Sequence, residues 1–177
     1  MSYETIDSQC VYKGKVMEIH KDKVVMPNGN VTVRETVVRG HAVGIIPVDE
    51  NGNIIFVRQY RHAARDFILE IPAGMIEKGE EPVEAAKREL EEETGYKCET
   101  PYFISDSYMA IGICTEKVYL YIAENLEKGA PNPDPDEFIE LERHSVNEAV
   151  EMIFSGKIHD IKTMAAILAY KEYKSGK

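Results

Sequence analysis

Gly74-Met-Ile-Glu-Lys-Gly-Glu80-Glu-Pro-Val-Glu-Ala-Ala-Lys-Arg88-Glu89-Leu90-Glu-Glu92-Glu93-Thr-Gly95-Tyr96 is the stretch on which the fold turns, because a glycine-bearing loop leads into three carboxylates at helical spacing. Glu89, Glu92 and Glu93 stand at i, i+3 and i+4, so on a helix they share one face. Pro82 suits the first helical turn, where its missing amide hydrogen costs nothing, and Glu80, Glu81 and Glu84 favour the positive end of the helix dipole. Gly95 closes the helix. Val83, Ala86 and Leu90 form its apolar stripe, so one side is expected to pack and the other to face a cleft. Taken alone, a glutamate triplet is more often a solvated face, with Lys78, Lys87 and Arg88 as ion-pair partners. Three uncompensated carboxylates repel one another, however, and a divalent cation relieves that repulsion; Glu89, Glu92 and Glu93 are therefore candidate ligands of a hard metal.

Short alternating apolar runs lie on the N-terminal side of this helix. From Cys10 to Val38 they are broken by Pro27-Asn28-Gly29-Asn30, the pattern of an antiparallel ribbon with a tight turn. Such a ribbon makes a poor core alone and needs the main domain or a second subunit to pack against. His41 to Val48 and Asn53 to Tyr60 read as strands joined through Asp49-Glu50-Asn51-Gly52, a hairpin signal. Phe67 to Ile71 reads as a short strand that Pro72 ends. Beyond the helix, strands are expected at about residues 97 to 106, 117 to 123 and 138 to 142, with a proline-rich loop from Gly129 to Asp136. Ser145 and Glu148 form a capping box for a helix to Phe154, and a last helix covers about 160 to 173. This order is a mixed sheet with helices, an α/β sandwich pattern.

The chain has 177 residues, 44% of them hydrophobic, which suits one compact domain or a domain with a small appendage. The expected division is residues 1–39, a β-ribbon, and 40–177, the main domain. No apolar run approaches the roughly 20 residues that span a bilayer, and no secretory signal is evident, so a cytoplasmic location is expected. Cys10, Cys98 and Cys114 lack paired ligand spacing, and neither a disulfide framework nor a zinc site is expected from them. With 21 basic and 31 acidic residues the net charge is −10, which disfavours nucleic acid or anionic membrane as partner. A small diphosphate remains compatible, because a carboxylate-bound metal inverts the local field.

The full spacing of the opening stretch, Gly74, five residues, Glu80, seven residues, Arg88-Glu89-Leu90, one residue, Glu92-Glu93, one residue, Gly95, resembles the signature of the Nudix hydrolases. Tyr96 is aromatic where that family usually carries an aliphatic residue. Arg39-Gly40-His41-Ala42, Val57-Arg58-Gln59-Tyr60-Arg61 and Glu70-Ile71-Pro72-Ala73-Gly74 are similar to the ADP-ribose pyrophosphatase branch. The resemblance implies an α/β/α sandwich, preceded by a ribbon similar to the segment that members of this branch exchange across a dimer, and a homodimer is expected. It also implies hydrolysis of ADP-ribose to AMP and ribose 5-phosphate. Another nucleoside diphosphate sugar such as GDP-mannose, or ADP-ribose sensing without turnover, are the alternatives.

By the same resemblance the carbonyl of Ala73 joins Glu89, Glu92 and Glu93 around Mg²⁺ or Mn²⁺, and Glu80 and Arg88 pair to hold the loop on the helix. Glu137, after the proline-rich loop, is the expected general base, with Glu116 as the other candidate. Relatives tend to have proline before Gly112, where this chain has Ile111, which bears on substrate preference. Arg61 is expected to hold a phosphate, and Arg34 and Glu35 to reach the adenine or ribose, in this subunit or its partner. Arg39 and Arg58 read equally as structural ion-pair residues, and His41 and His62 as packing or capping residues.

Overall fold

The computed structural model describes residues 2–132 and 138–176. They form two compact units, one made of the chain up to His41 together with Tyr108–Lys117, the other of Ala42–Ser107 and the chain from Val118 onward. In the first unit, β1 (Glu4–Lys13), β2 (Glu18–Val25) and β3 (Val31–Val38) make an antiparallel sheet in that order. Its β2–β3 turn closes through Gly29, whose φ of 81° and bond to the Met26 carbonyl at 2.8 Å use the freedom that glycine alone has there. The returning segment lies along the end of β3: Thr115 N donates to Val37 O at 3.0 Å, and Val37 N to Ile113 O at 2.7 Å.

The second unit contains β4 (Ala42–Pro47), β5 (Asn53–Arg61), β6 (Asp66–Glu70), β7 (Ala73–Met75), α1 (Pro82–Thr94), β8 (Tyr96–Lys97) and β9 (Tyr102–Tyr108). It continues with β10 (Lys117–Ala123), β11 (Glu127–Lys128), β12 (Glu140–Ser145), α2 (Val146–Phe154) and α3 (Ile161–Ser175). One sheet runs β7-β4-β10-β9, with β4 parallel to β10 and antiparallel to β7; a second runs β12-β5-β6, antiparallel throughout. The mixed sheet and helices belong to the α/β/α class that the sequence implies.

The hairpin expected between β4 and β5 forms only as a turn. Gly52 takes a φ of 80°, and Asp49 accepts from the amides of Asn51 and Asn53 at 2.9 Å each. Past one bridge, Val48 to Ile54, the strands diverge into different sheets. The reason is lateral: β4 is buried along its whole length and has both edges taken, by β7 and β10. The strand expected at 97 to 106 begins at Tyr102, after Pro101, which cannot donate to a ladder. The last strand begins at Glu140 rather than Phe138. The capping box is present, with Ser145 Oγ accepting from Glu148 N and the Glu148 carboxylate accepting from Ser145 N. Among the described residues no helix is long and apolar enough to cross a membrane.

Helix α1 packs through Ala85, Ala86 and Leu90, all fully buried, against Val43 and Ile45 of β4 and Tyr121 and Ala123 of β10. Alanines at the contact let the helix lie close to the sheet, and burial of this face stabilises by about 25 cal/mol per Å² of apolar surface removed from water. The other face is thereby aimed at the loop that contains Ala73 and Gly74.

Candidate active site

The loop into α1 is built by charge and by glycine. Gly79 takes a φ of 85°, Glu80 N donates to Glu77 O at 3.1 Å, and the Glu80 carboxylate accepts from Glu77 N at 2.9 Å. The same carboxylate receives Arg88 as a fork, Nε at 2.9 Å and Nη2 at 3.0 Å. Nη2 also donates to Met75 O at 3.0 Å, while Nη1 donates to Glu89 at 2.6 Å and Glu92 at 2.9 Å. Five contacts match the five N–H groups of a guanidinium. Glu80 first, then Glu89 and Glu92, hold the Arg88 pKa above the usual arginine value against the effect of burial. The Arg88 bond in turn keeps Glu80 below the usual carboxylate range.

The glutamate face is less open than its spacing suggests. Glu93 is 4% exposed and its Oε2 accepts from Ala73 N at 3.1 Å. The Glu89 side chain is 12% exposed and Glu92 is 35% exposed. Glu89 lies directly over the backbone of Gly74: a Cβ there would stand 2.0 Å from Glu89 Oε1. A missing side chain thus makes room for a carboxylate, and carboxylates at graded depth surround a backbone turn. The donor set is all oxygen, and Arg88 already supplies one positive charge between two of its members. These residues fit a hard divalent cation.

A partly buried polar chain that the sequence did not reveal joins β5 and β6 to the start of α3. Glu70, 3% exposed at the end of β6, accepts from Arg61 Nε at 2.6 Å and Nη2 at 2.9 Å. Lys162 also bonds Glu70, and reaches Asp160 at 2.9 Å. Asp160 caps α3 by accepting from Thr163 N at 3.0 Å and Thr163 Oγ1 at 2.5 Å. The Thr163 hydroxyl oxygen then accepts from Ile71 N at 3.0 Å. Burial raises the Glu70 pKa, but Arg61 and Lys162 outweigh it and the net shift is downward. For Arg61 burial likewise opposes the charge, and Glu70, with Glu93 and Asp160 beyond it, shifts it upward. The one hint in the sequence was an acid inside the apolar run Phe67-Ile68-Leu69-Glu70-Ile71.

The remaining described candidates have partners of their own. In the ribbon unit, Glu116 pairs with Arg39 at 3.4 Å. Arg34 Nη1 donates to Thr32 Oγ1 at 3.3 Å and Val33 O at 3.2 Å, and Glu35 stands opposite Lys21 on β2. His41 Nδ1 accepts from Lys117 N at 3.2 Å, and His62 makes an edge contact with Tyr60. Arg58 is paired with Glu142 across β5 and β12. Glu137 lies outside the described residues. Glu80, Arg88, Glu89, Glu92, Glu93 and Ala73 are thus brought together, and Arg61 is tied to Glu70.

Comparison with known proteins agrees with this arrangement. Residues 38–167 match the model of the NUDIX domain. The chain is 39% identical over 166 residues to the methanol dehydrogenase activator of Bacillus methanolicus, covering 93% of this chain and 90% of that one. It is 38% identical over 166 residues, with the same coverage, to the ADP-ribose pyrophosphatase of Bacillus subtilis strain 168. A solved structure described as an ADP compounds hydrolase shares the fold with a TM-score of 0.90 at 22% identity, over 99% of this chain and 96% of that one. With the family motif assembled on α1 and its loop, and the match spanning most of its length, the chain belongs to the NUDIX family of hydrolases.

Proposed function

We propose that this chain adds water across the diphosphate of ADP-ribose, breaking one P–O bond of the bridge to give AMP and ribose 5-phosphate. The observation that carries the reading is the oxygen cradle of Glu89 and Glu93 against Ala73–Gly74, in a chain similar over 93% of its length to an ADP-ribose pyrophosphatase. Glu89, Glu92, Glu93 and the Ala73 carbonyl would hold Mg²⁺, with Mn²⁺ as a substitute. When bound, the ion neutralises phosphate oxygens and orients water. Glu80 and Arg88 keep the loop in register with the helix without touching substrate. Glu70 takes one edge of the Arg61 guanidinium, through Nε and Nη2, and so orients it toward a substrate phosphate. Glu137 takes the proton of the attacking water, with Glu116 as the alternative base. Arg34 and Glu35 contact the adenine or ribose.

Residues 1–39 serve as the segment through which two copies pair and 40–177 as the hydrolase domain; exposed Ile6, Val11 and Tyr12 supply apolar surface for pairing. A cytoplasmic location, with neither nucleic acid nor membrane as partner, accords with the net charge of −10.

The test is a panel of nucleoside diphosphate sugars with Mg²⁺, repeated after chelation, following the phosphate-ester products. ADP-ribose should show the highest kcat/KM and yield AMP and ribose 5-phosphate in equal amounts, and chelation should abolish turnover. Preference for GDP-mannose would reassign the substrate, and no turnover of any member would leave a sensing domain. Similarity to the methanol dehydrogenase activator supports a second reading, stimulation of a dehydrogenase. Adding the chain to a methanol dehydrogenase assay tests it.

A further inference from the structure

A separate set of metal-ligand side chains lies on the ribbon. The β1–β2 register sets Cys10 directly opposite His20, and Glu18, two residues before His20, shares its face. One ligand atom from each of Cys10, Glu18 and His20 lies within 4.8 Å of the other two. Cys10 is exposed, whereas the side chains of Glu18 and His20 are only 30% and 25% exposed.

His20 is also held from behind. Its Nδ1 lies 3.3 Å from Ser8 Oγ, and the Ser8 hydroxyl donates to Asp22 at 2.6 Å. The second oxygen of Asp22 accepts from Thr36 Oγ1 at 3.2 Å. Ser8 has one proton and spends it on Asp22, so its oxygen is left to accept from Nδ1–H. With Nδ1 so engaged, Nε2 is turned toward Glu18 Oε2, 3.0 Å away, and in a metal-bound form its lone pair would be left for the ion. A carboxylate, a hydroxyl and an imidazole in series are the arrangement that orients metal-bound histidines. A surface ion pair explains the contacts of Glu18 with Lys13 and His20, but it gives no use to the thiol or to the Ser8–Asp22 support.

The geometry points to a site for a borderline-soft divalent cation of the zinc class, bound by Cys10 Sγ, Glu18 Oε2 and His20 Nε2 with water as fourth ligand. A mixed sulfur, nitrogen and oxygen set favours zinc over magnesium. Cys10 now directs its thiol at the Tyr12 carbonyl, 3.2 Å away; binding releases that proton to solvent and uses the imidazole in its neutral form. Lys13 stays on the other oxygen of Glu18. The ion braces β1 against β2. Because its ligands come from two strands, no cysteine spacing in the sequence announces the site.

The full chain, stripped with a chelator, is titrated with Co²⁺ alone, which reports thiolate ligation by sulfur-to-cobalt charge-transfer absorption; Zn²⁺ is then added as competitor. Wild type and Glu89→Gln should both develop the band at one equivalent and lose it to Zn²⁺. Cys10→Ser should abolish it, and His20→Gln and Ser8→Ala should each weaken affinity by about tenfold or more. Circular dichroism checks that the variants fold. Absence of the band in folded wild type overturns the proposal, as does a band that survives in Cys10→Ser, which would assign the thiolate to Cys98 or Cys114.

Discussion

Gly74→Ala probes the cradle without touching a charged group. The added Cβ would stand 2.0 Å from Glu89 Oε1, 2.2 Å from Cδ and 2.4 Å from Oε2, against about 3.5 Å for ordinary contact. The backbone at Gly74 is in a region any residue adopts, and the obstructing atoms are the end of a flexible side chain. The backbone therefore stays and the carboxylate withdraws by about 1 to 1.5 Å to restore contact distance. Folding loses a preferred rotamer and the Glu89 bond to Arg88, about 1–2 kcal/mol. Catalysis loses more, since a misplacement of about 1 Å in a reacting assembly costs about 100-fold, or about 2.7 kcal/mol. The assay pairs ADP-ribose kinetics in Mg²⁺ with urea unfolding for Gly74→Ala, Glu89→Gln and the double variant. Both changes act on one carboxylate, so the double variant should be no slower than the slower single. Turnover near the wild-type rate in folded Gly74→Ala, or losses that multiply in the double variant, would refute the reasoning.

Glu93→Gln keeps an acceptor for Ala73 N but removes a charge; kcat should fall by about 100-fold or more, while calorimetry without metal shows stability unchanged or raised, because repulsion within the triplet is relieved. Arg88→Lys replaces a five-donor fork by a point charge, so urea unfolding should show a loss of about 2 kcal/mol and turnover should drop with little change in KM. The Glu70 pKa is lowered from an ordinary 4.5, so its contribution is fully present above about that pH and is lost as pH falls through the lower folded value. The stability gap between wild type and Glu70→Gln, measured by urea unfolding across that range, should shrink on acidification; a gap independent of pH would contradict the network. Glu137→Gln should lower kcat by about 10² to 10⁴ with KM little altered, and an unchanged rate would move the base to Glu116.

Local chemistry was the legible part. Pro82 and Gly95 bound α1 as their backbone preferences require, with Gly95 at a φ of 71°, and Ser145 with Glu148 forms the capping box. What depends on partners distant in the chain was not legible. Asp49–Gly52 encodes a turn, yet nothing in it says that β4 will find a parallel neighbour in β10. Glu93 shares a helical face with Glu89 and Glu92, but its burial follows from the Ala73 loop folding over it, which spacing alone does not contain. Glu70 reads as the end of a strand, which it is, but its second cation, Lys162, lies 92 residues away and no local pattern announces it.

That distance has a consequence for biosynthesis. Chains emerge from the ribosome N-terminus first, and strands β4 to β7 and the glutamate helix are complete long before residue 160. Until Lys162 and Thr163 arrive, Glu70 has only Arg61 and Ile71 lacks its hydroxyl partner, so the segment leading into Ala73 rests on its bonds to β4, β5 and Glu93 alone. A chain that stops before α3 carries every glutamate of the motif without the cation and hydroxyl that brace the strand before Ala73. The final helix is thus the last support that the Ala73 loop receives, although it contributes no glutamate to the motif.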